Sequence, residues 1–429
     1  MKKKLASLVA SVVLLLAMPA SATINSPSAV EVRYSYETDF VTSARGSVKD
    51  AMSAHAKFLY GYLQNHSLVK KFALPEGNDG VGGPLWPPTK MTVLSDKTRG
   101  SVRLIRYRAK GRLLLHKTAA QQIVKNKIWN ITLPYDVDHF FEKACGDWDS
   151  NTVEDFWYSY DPLKPGCEHL ARLPLGQVVS VQIKAVAVEP ALDSRLGEIR
   201  GNGDKIFLVA SIDGFDSDLM TAEDPGRVSF NTINKWLVSQ GFVEKSISEK
   251  TDSSIHQFDK TAARADGRHI HIRVLRFLGE SEIRENNSVA FAQFLIAAIR
   301  TADVIVYNGH SGYGLNLKID RLQARAGQPV IFNNSKRQIF FFDACSSYSY
   351  FLPVFAARKA KGTLDFLSNG IESMAEYGVA VDQEFFRILF DVNSDNPKWN
   401  DILAKMETQL DGLTFLLNVY RAPERRLKN

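Results

Sequence analysis

The 429-residue sequence predicts an α/β protein: a mostly parallel sheet covered by helices on both faces, preceded by an antiparallel α+β N-terminal domain. Downstream of Gly203, short apolar runs at 206–212, 270–278, 304–307 and 339–342 alternate with segments of helical period, as buried parallel strands and their crossovers do. Upstream of Glu189, strands of period two follow one another with little helix between them. The stretch that separates these textures, EPALDSRLGEIRGNG at 189–203, carries Pro, Gly and charge without a sustained apolar period. It places the two domains at 23–195 and 196–429.

Before them, MKKKLASLVASVVLLLAMPASA has a basic start, an apolar middle and a small-residue exit, the pattern of a secretory signal cut after Ala22. Its apolar part is short for a bilayer span. Removing residues 1–22 takes away Lys2, Lys3 and Lys4, so the net charge falls from +6 to +3 (6 minus 3), which gives no support to a nucleic-acid partner. With 45% hydrophobic and 23% charged residues and no second long apolar run, an exported globular protein, periplasmic or extracellular, is expected, with no membrane span once the signal is removed.

The elements follow in order. Val30, Val32, Tyr34 and Tyr36 alternate with polar residues in a strand over 29–37, and Val48, Ala51, Met52, His55, Leu59 and Tyr62 form one helical stripe over 47–63. His55 reads as a core-edge residue rather than a ligand. A Gly- and Pro-rich loop over 75–89 leads to strands at 91–94, 102–108 and 112–116, the last two joined as a hairpin around Lys110-Gly111. Strands at 128–133 and 177–188 bracket a polar, aromatic segment bounded by Cys145 and Cys167, with Phe156, Trp157, Tyr158 and Tyr160 inside it. Beyond the boundary come helices at 228–240 and 289–300, then, after the strand at 339–342, a helix at 348–359, a strand at 363–367, helices at 381–390 and from Asn396-Pro397, and a last strand at 415–419.

Three cysteines in an oxidising compartment imply one bridge and one free thiol. Cys145 and Cys167, which close one short segment, are expected to pair, leaving Cys345 free. A metal site on Cys145, Cys167 and His169 lacks a fourth ligand at a recognisable spacing, and no cofactor is called for.

The chemistry concentrates in VIVYNGHSGYG at 304–314 and QIFFFDACSSYSYF at 338–351. Each apolar run breaks into small and polar residues, the first delivering His310 and the second Cys345, at the carboxyl ends of strands where open α/β sheets hold their sites. This order of strand, His, Gly, then strand, Asp-Ala-Cys-Ser, resembles the caspase-like cysteine peptidases, a group that includes caspases, metacaspases, legumains, gingipains and clostripain. The resemblance covers 204–429 and departs from the family pattern where Ser311 intervenes between His310 and Gly312. It implies a caspase-like fold, a Cys345 nucleophile with His310 as base, and an oxyanion hole from the backbone amides of Gly312 and Cys345. It further implies that Asp343 and Asp213 line a pocket for a basic substrate side chain. The N-terminal domain would then be an intramolecular pro-segment, inhibitor or targeting module, and Arg195 and Arg200 would be candidate self-cleavage points.

Other constellations are weaker. Gly309-His310-Ser311 lacks the second Gly of a nucleophile elbow, and no histidine follows it in the chain. His269 and His271 share a strand face with Arg273, and Asp213, Asp216 and Asp218 read as a solvated acidic turn whose spacing is not that of an EF-hand. Two function classes stay open: an exported cysteine endopeptidase acting on peptide or protein substrates, and a catalytically inactive member of the same fold serving as a protein-binding module.

Overall fold

The computed structural model describes residues 23–140, 142–146, 160–186, 190–201, 205–215, 221–250, 253–281 and 289–422. Residues 1–22, read above as a signal segment, and Phe156, Trp157, Tyr158, Asp216 and Asp218 lie outside them. Strands β1 (Thr23–Asn25), β2 (Ala29–Ser43), β3 (Gly82–Pro84), β4 (Lys90–Arg99), β5 (Val102–His116), β6 (Ile128–Pro134) and β7 (Gly176–Ala185) precede the boundary. After it come β8 (Ile206–Gly214), β9 (Val243–Glu249), β10 (Ser253–Ala263), β11 (His269–Gly279), β12 (Val304–Asn308), β13 (Gln338–Asp343), β14 (Leu364–Ser368) and β15 (Asn418–Arg421).

The first sheet is antiparallel, in the order β3-β5-β2-β7-β6 with β4 also on β5. The helix Val48–Leu63, capped by the Ser47 hydroxyl, lays Met52, Leu59 and Tyr62 on it. His55 is fully buried there, bonded to Tyr107 Oη at 2.7 Å and Pro134 O at 2.8 Å, and burial holds its imidazole down at about 4. The hairpin expected at Lys110-Gly111 does not form, because β5 runs straight through 102–116 and turns back to β4 at Gly100, φ 62°. Gly111 serves another purpose: a Cβ there would lie 2.6 Å from the Tyr34 ring, so its absence admits that ring.

The second sheet has nine strands, β1-β15-β14-β13-β12-β8-β11-β10-β9. Its five central strands, β14 to β11, are parallel, and antiparallel strands extend both edges. One face is covered by the helices Val289–Thr301, Ile319–Ala326 and Leu352–Ala356, the other by Pro225–Ser239, Ala375–Phe390 and Trp399–Glu407. This is a mixed α/β layer structure.

Among the departures from expectation, three concern the large sheet and its helices. The helix expected over 348–359 is two short pieces, Ser347–Tyr350 and Leu352–Ala356, since Pro353 is tolerated only in a first turn. The hairpin β9–β10 lengthens the sheet beyond β11. Residues 23–25, expected with the N-terminal domain, form edge strand β1 of the large sheet, paired with β15.

The boundary segment is fastened down as well. Arg200 is fully buried and its guanidinium donates to the carbonyls of Leu389, Ser394 and Ile388 at 2.8 to 2.9 Å, closing the end of the helix Ala375–Phe390. Arg200 therefore cannot serve as the cleavage point expected for it. Arg195 is half-buried in left-handed backbone, φ 54°.

Candidate active site

Along the parallel core the strands succeed one another as β8, β11, β12, β13, β14 but stand in the order β14-β13-β12-β8-β11, so the chain reverses its direction of travel between β8 and β12. Loops diverge at such a point and leave a crevice. Asn308, the last residue of β12, pairs with Asp343 on one side and Asp213 on the other, so the three stand abreast at the carboxyl end of the sheet. His310 and Cys345 each lie two residues past a member of the Asn308/Asp343 pair. Both line a cleft of about 220 Å³, together with Gly214, Ser229, Asn308, Asp343, Ser373 and Gly378.

Cys345 is half-buried and unbridged, with Sγ 3.7 Å from Ser373 O. The other two cysteines, Cys145 and Cys167, are bonded to each other through sulfur. The His310 carbonyl accepts from Tyr307 Oη at 2.7 Å and Asn316 Nδ2 at 2.9 Å, which anchors the loop that carries the ring. Ser311 takes ordinary helical angles, φ −75° and ψ −26°, and the left-handed position falls on Gly312 instead, φ 53°. A Cβ at Gly312 would lie 2.3 Å from Asn316 Oδ1, so the glycine is needed one position beyond the inserted Ser311, and the left-handed backbone continues into Tyr313, φ 52°. Gly309 and His310 line the cleft; Gly312 is not among its lining residues.

Below the thiol the site is acidic. Asp343 Oδ1 accepts from Asn369 Nδ2 at 2.6 Å, while Oδ2 is buried and has no hydrogen-bond partner among the described residues. Burial pushes the Asp343 carboxyl up to about 6 against the pull of that amide. Asp213 does not share the cleft. It is buried, accepts from Ser229 Oγ at 2.6 Å, and its Oδ2 is 2.6 Å from Arg276 Nη2. Burial raises it, and the Arg276 charge and the Ser229 hydroxyl oppose the rise. Arg276 is itself fully buried on β11, over the Phe230 ring.

Sequence reasoning missed Arg276 and a third acid, Asp382, fully buried on the helix Ala375–Phe390 with Asn308 Nδ2 at 3.4 Å from Oδ2. Burial raises the Asp382 carboxyl well above its usual range, and the charges of Asp343 and Asp213 raise it further. Their signals were present: an arginine inside the apolar strand HIHIRVLRFLG, and an aspartate on the inward stripe beside Val381, Phe385 and Phe386. Arg276 balances Asp213; Asp343 and Asp382 have no second cation to share among the described residues.

Away from the cleft, His269 and His271 are exposed on β11, the latter with Nδ1 3.0 Å from Thr261 Oγ1. An open hollow of about 480 Å³ at the opposite end of these strands is lined by Ile206, Lys245, Asp259, His271 and Arg273. Its Arg273 already meets Asp259 with two bonds, at 2.9 and 3.1 Å. No helix among the described residues is long and apolar enough to cross a membrane. No family model matches the chain, and no curated protein does.

Proposed function

We propose that this chain is an exported cysteine endopeptidase, of the caspase-like kind that its motifs resemble, cutting after a basic residue. The observation that carries the reading is the convergence in one cleft of an unbridged thiol, an imidazole and a buried carboxylate oxygen with no hydrogen-bond partner among the described residues, at the crevice where the strand order reverses. His310 takes the proton from Cys345 Sγ, and the thiolate attacks the scissile carbonyl carbon to form a C–S bond. Backbone amides at the cleft, that of Cys345 among them, stabilise the developing oxyanion. His310 returns the proton to the leaving amine as the C–N bond breaks. Water, deprotonated by His310, then displaces Sγ, releasing the acid and restoring the thiol.

Asp343 supports the specificity. Its buried Oδ2 offers an incoming guanidinium or ammonium group a negative charge that no donor among the described residues satisfies, and a guanidinium can engage it with two nitrogens. Asp213, already paired with Arg276, contributes through its charge behind the wall rather than by contact.

Hydrolysis of a fluorogenic peptide ending in Arg tests the assignment. Cys345→Ala and His310→Ala each abolish turnover while thermal unfolding stays as in the wild type. Turnover at the wild-type rate in either variant refutes it and leaves the binding-module reading.

A further inference from the structure

The residues lining the cleft all fall within 214–378, yet the turn that carries Cys345 is held from behind by the N-terminal domain. Ser346, directly after the thiol residue, takes φ 49° and ψ 33°, left-handed backbone that a residue with a Cβ rarely adopts. Four contacts hold it there. Its N–H donates to Ile371 O at 2.9 Å, and its carbonyl accepts from the N–H groups of Ser349 at 2.8 Å and Tyr350 at 3.2 Å. Its buried hydroxyl accepts from Gln64 Nε2 at 2.7 Å.

Gln64 belongs to the other domain. It ends the helix Val48–Leu63, where its own N–H bonds to the Tyr60 and Gly61 carbonyls and its backbone leaves helical angles, turning the side chain across the seam. Gln64 is 3% exposed and its Oε1 has no hydrogen-bond partner among the described residues, so the bond to Ser346 offsets the burial of its side-chain amide. The seam is tight around it. A Cβ at Gly80 would lie 2.6 Å from Gln64 Cα, and one at Gly83 would lie 2.8 Å from Ser349 Oγ. Tyr348 Oη donates to Glu31 Oε2 at 3.1 Å, Trp86 N–H donates to Ser349 O at 3.1 Å, and the Tyr60 and Tyr350 rings stack at 5.5 Å.

We infer that Gln64 is a positioning residue for Cys345, and that the N-terminal domain is a permanent part of the active centre rather than a segment to be removed. The inference rests on the reading of Cys345 as the nucleophile. The direction of its thiol depends on the backbone angles at the junction with Ser346. Without the Gln64 bond, Ser346 relaxes toward ordinary angles and Sγ turns away from the cleft it shares with His310 and Asp343.

Gln64→Met keeps the volume and removes the donor. The test compares wild type, Gln64→Met, Ser346→Gly and the double variant by the rate of Cys345 alkylation with iodoacetamide across about pH 5 to 9, and by kcat and KM on a peptide ending in Arg. Gln64→Met lowers kcat roughly ten- to hundredfold, changes KM by less than about twofold, and displaces the midpoint of the alkylation profile. Glycine takes left-handed backbone without penalty, so in the Ser346→Gly background the same change has less than about twofold further effect. Ser346→Ala, which removes the acceptor, reproduces the loss and replaces Gln64→Met should that variant not fold. An unaltered alkylation profile in folded Gln64→Met, or an equal loss in both backgrounds, overturns the inference. If the wild type cleaves no peptide, the peptidase reading fails while the alkylation series still decides whether Gln64 orients the thiol.

Discussion

Asp343 carries opposing demands. In the proposed reading it receives a substrate cation when ionised, yet burial pushes its carboxyl up to about 6, and burial together with the neighbouring acids raises that of Asp382 well above its usual range. A cation entering the cleft favours the ionised form, so binding of a basic residue expels a proton below about pH 6. KM for an Arg-ended peptide is expected to rise roughly tenfold for each pH unit below 6, and Asp343→Asn to lose both this dependence and the Arg preference. A flat KM down to about pH 5 in the wild type contradicts this. The same burial has a stability cost. Because the folded-state values of Asp343 and Asp382 are raised, stability is fullest below their unfolded values near 4 and declines as pH rises toward the folded values. Asp382→Asn is therefore expected to raise Tm by about 2 °C or more at pH 8, with the gain vanishing near pH 4. Calorimetry at the two pH values checks the sign.

Among the elements, the helix Ala375–Phe390 decides the shape of the cleft. Gly378 lines it, and a Cβ there would lie 2.7 Å from Asn308 Nδ2; Asp382 follows one turn later. Gly378→Ala should improve helix propensity by about 1 kcal/mol yet push Asn308 into the cleft. The expected result is kcat/KM lowered about tenfold or more with no loss of Tm, and an unchanged kcat/KM would remove this wall from the site. Other elements show what sequence could convey. The strands before His310 and Cys345 were legible to within a residue because both are unbroken apolar runs ending in small polar residues. The hairpin β9–β10 was not, since β9 is exposed along its whole length and β10 is nowhere strongly apolar. A glycine in β5 mimicked a turn, although its use was to admit the Tyr34 ring. Asp382 stayed hidden for another reason. It stands 39 residues from Asp343 and 169 from Asp213 by subtraction, and only the order of strands brings the three acids together.

At the scale of the whole molecule, the two sheets are joined along more than a linker. The chain enters through β1 in the large sheet, and the Ser26 hydroxyl donates to Leu417 O at 2.6 Å. The hydroxyls of half-buried Ser28 and buried Thr414 both donate to Glu407, and Arg200 closes a helix end with three bonds. Heating is expected to unfold both sheets in one transition, and Arg200→Met, which strands three carbonyls, to lower stability by about 3 kcal/mol. Two separated transitions in calorimetry would contradict this coupling. The central claim is that Cys345 is a nucleophile aimed at a peptide whose preceding residue is basic, and one competition tests it directly. The native protein is exposed in parallel to a peptidyl electrophile ending in Arg, to its counterpart ending in Asp, and to iodoacetamide, and the adducts are mapped by mass. Modification of Cys345 by the Arg reagent roughly a hundredfold faster than by iodoacetamide, with the Asp reagent far behind, is the predicted result; equal rates for all three, or adducts elsewhere on the chain, would contradict it.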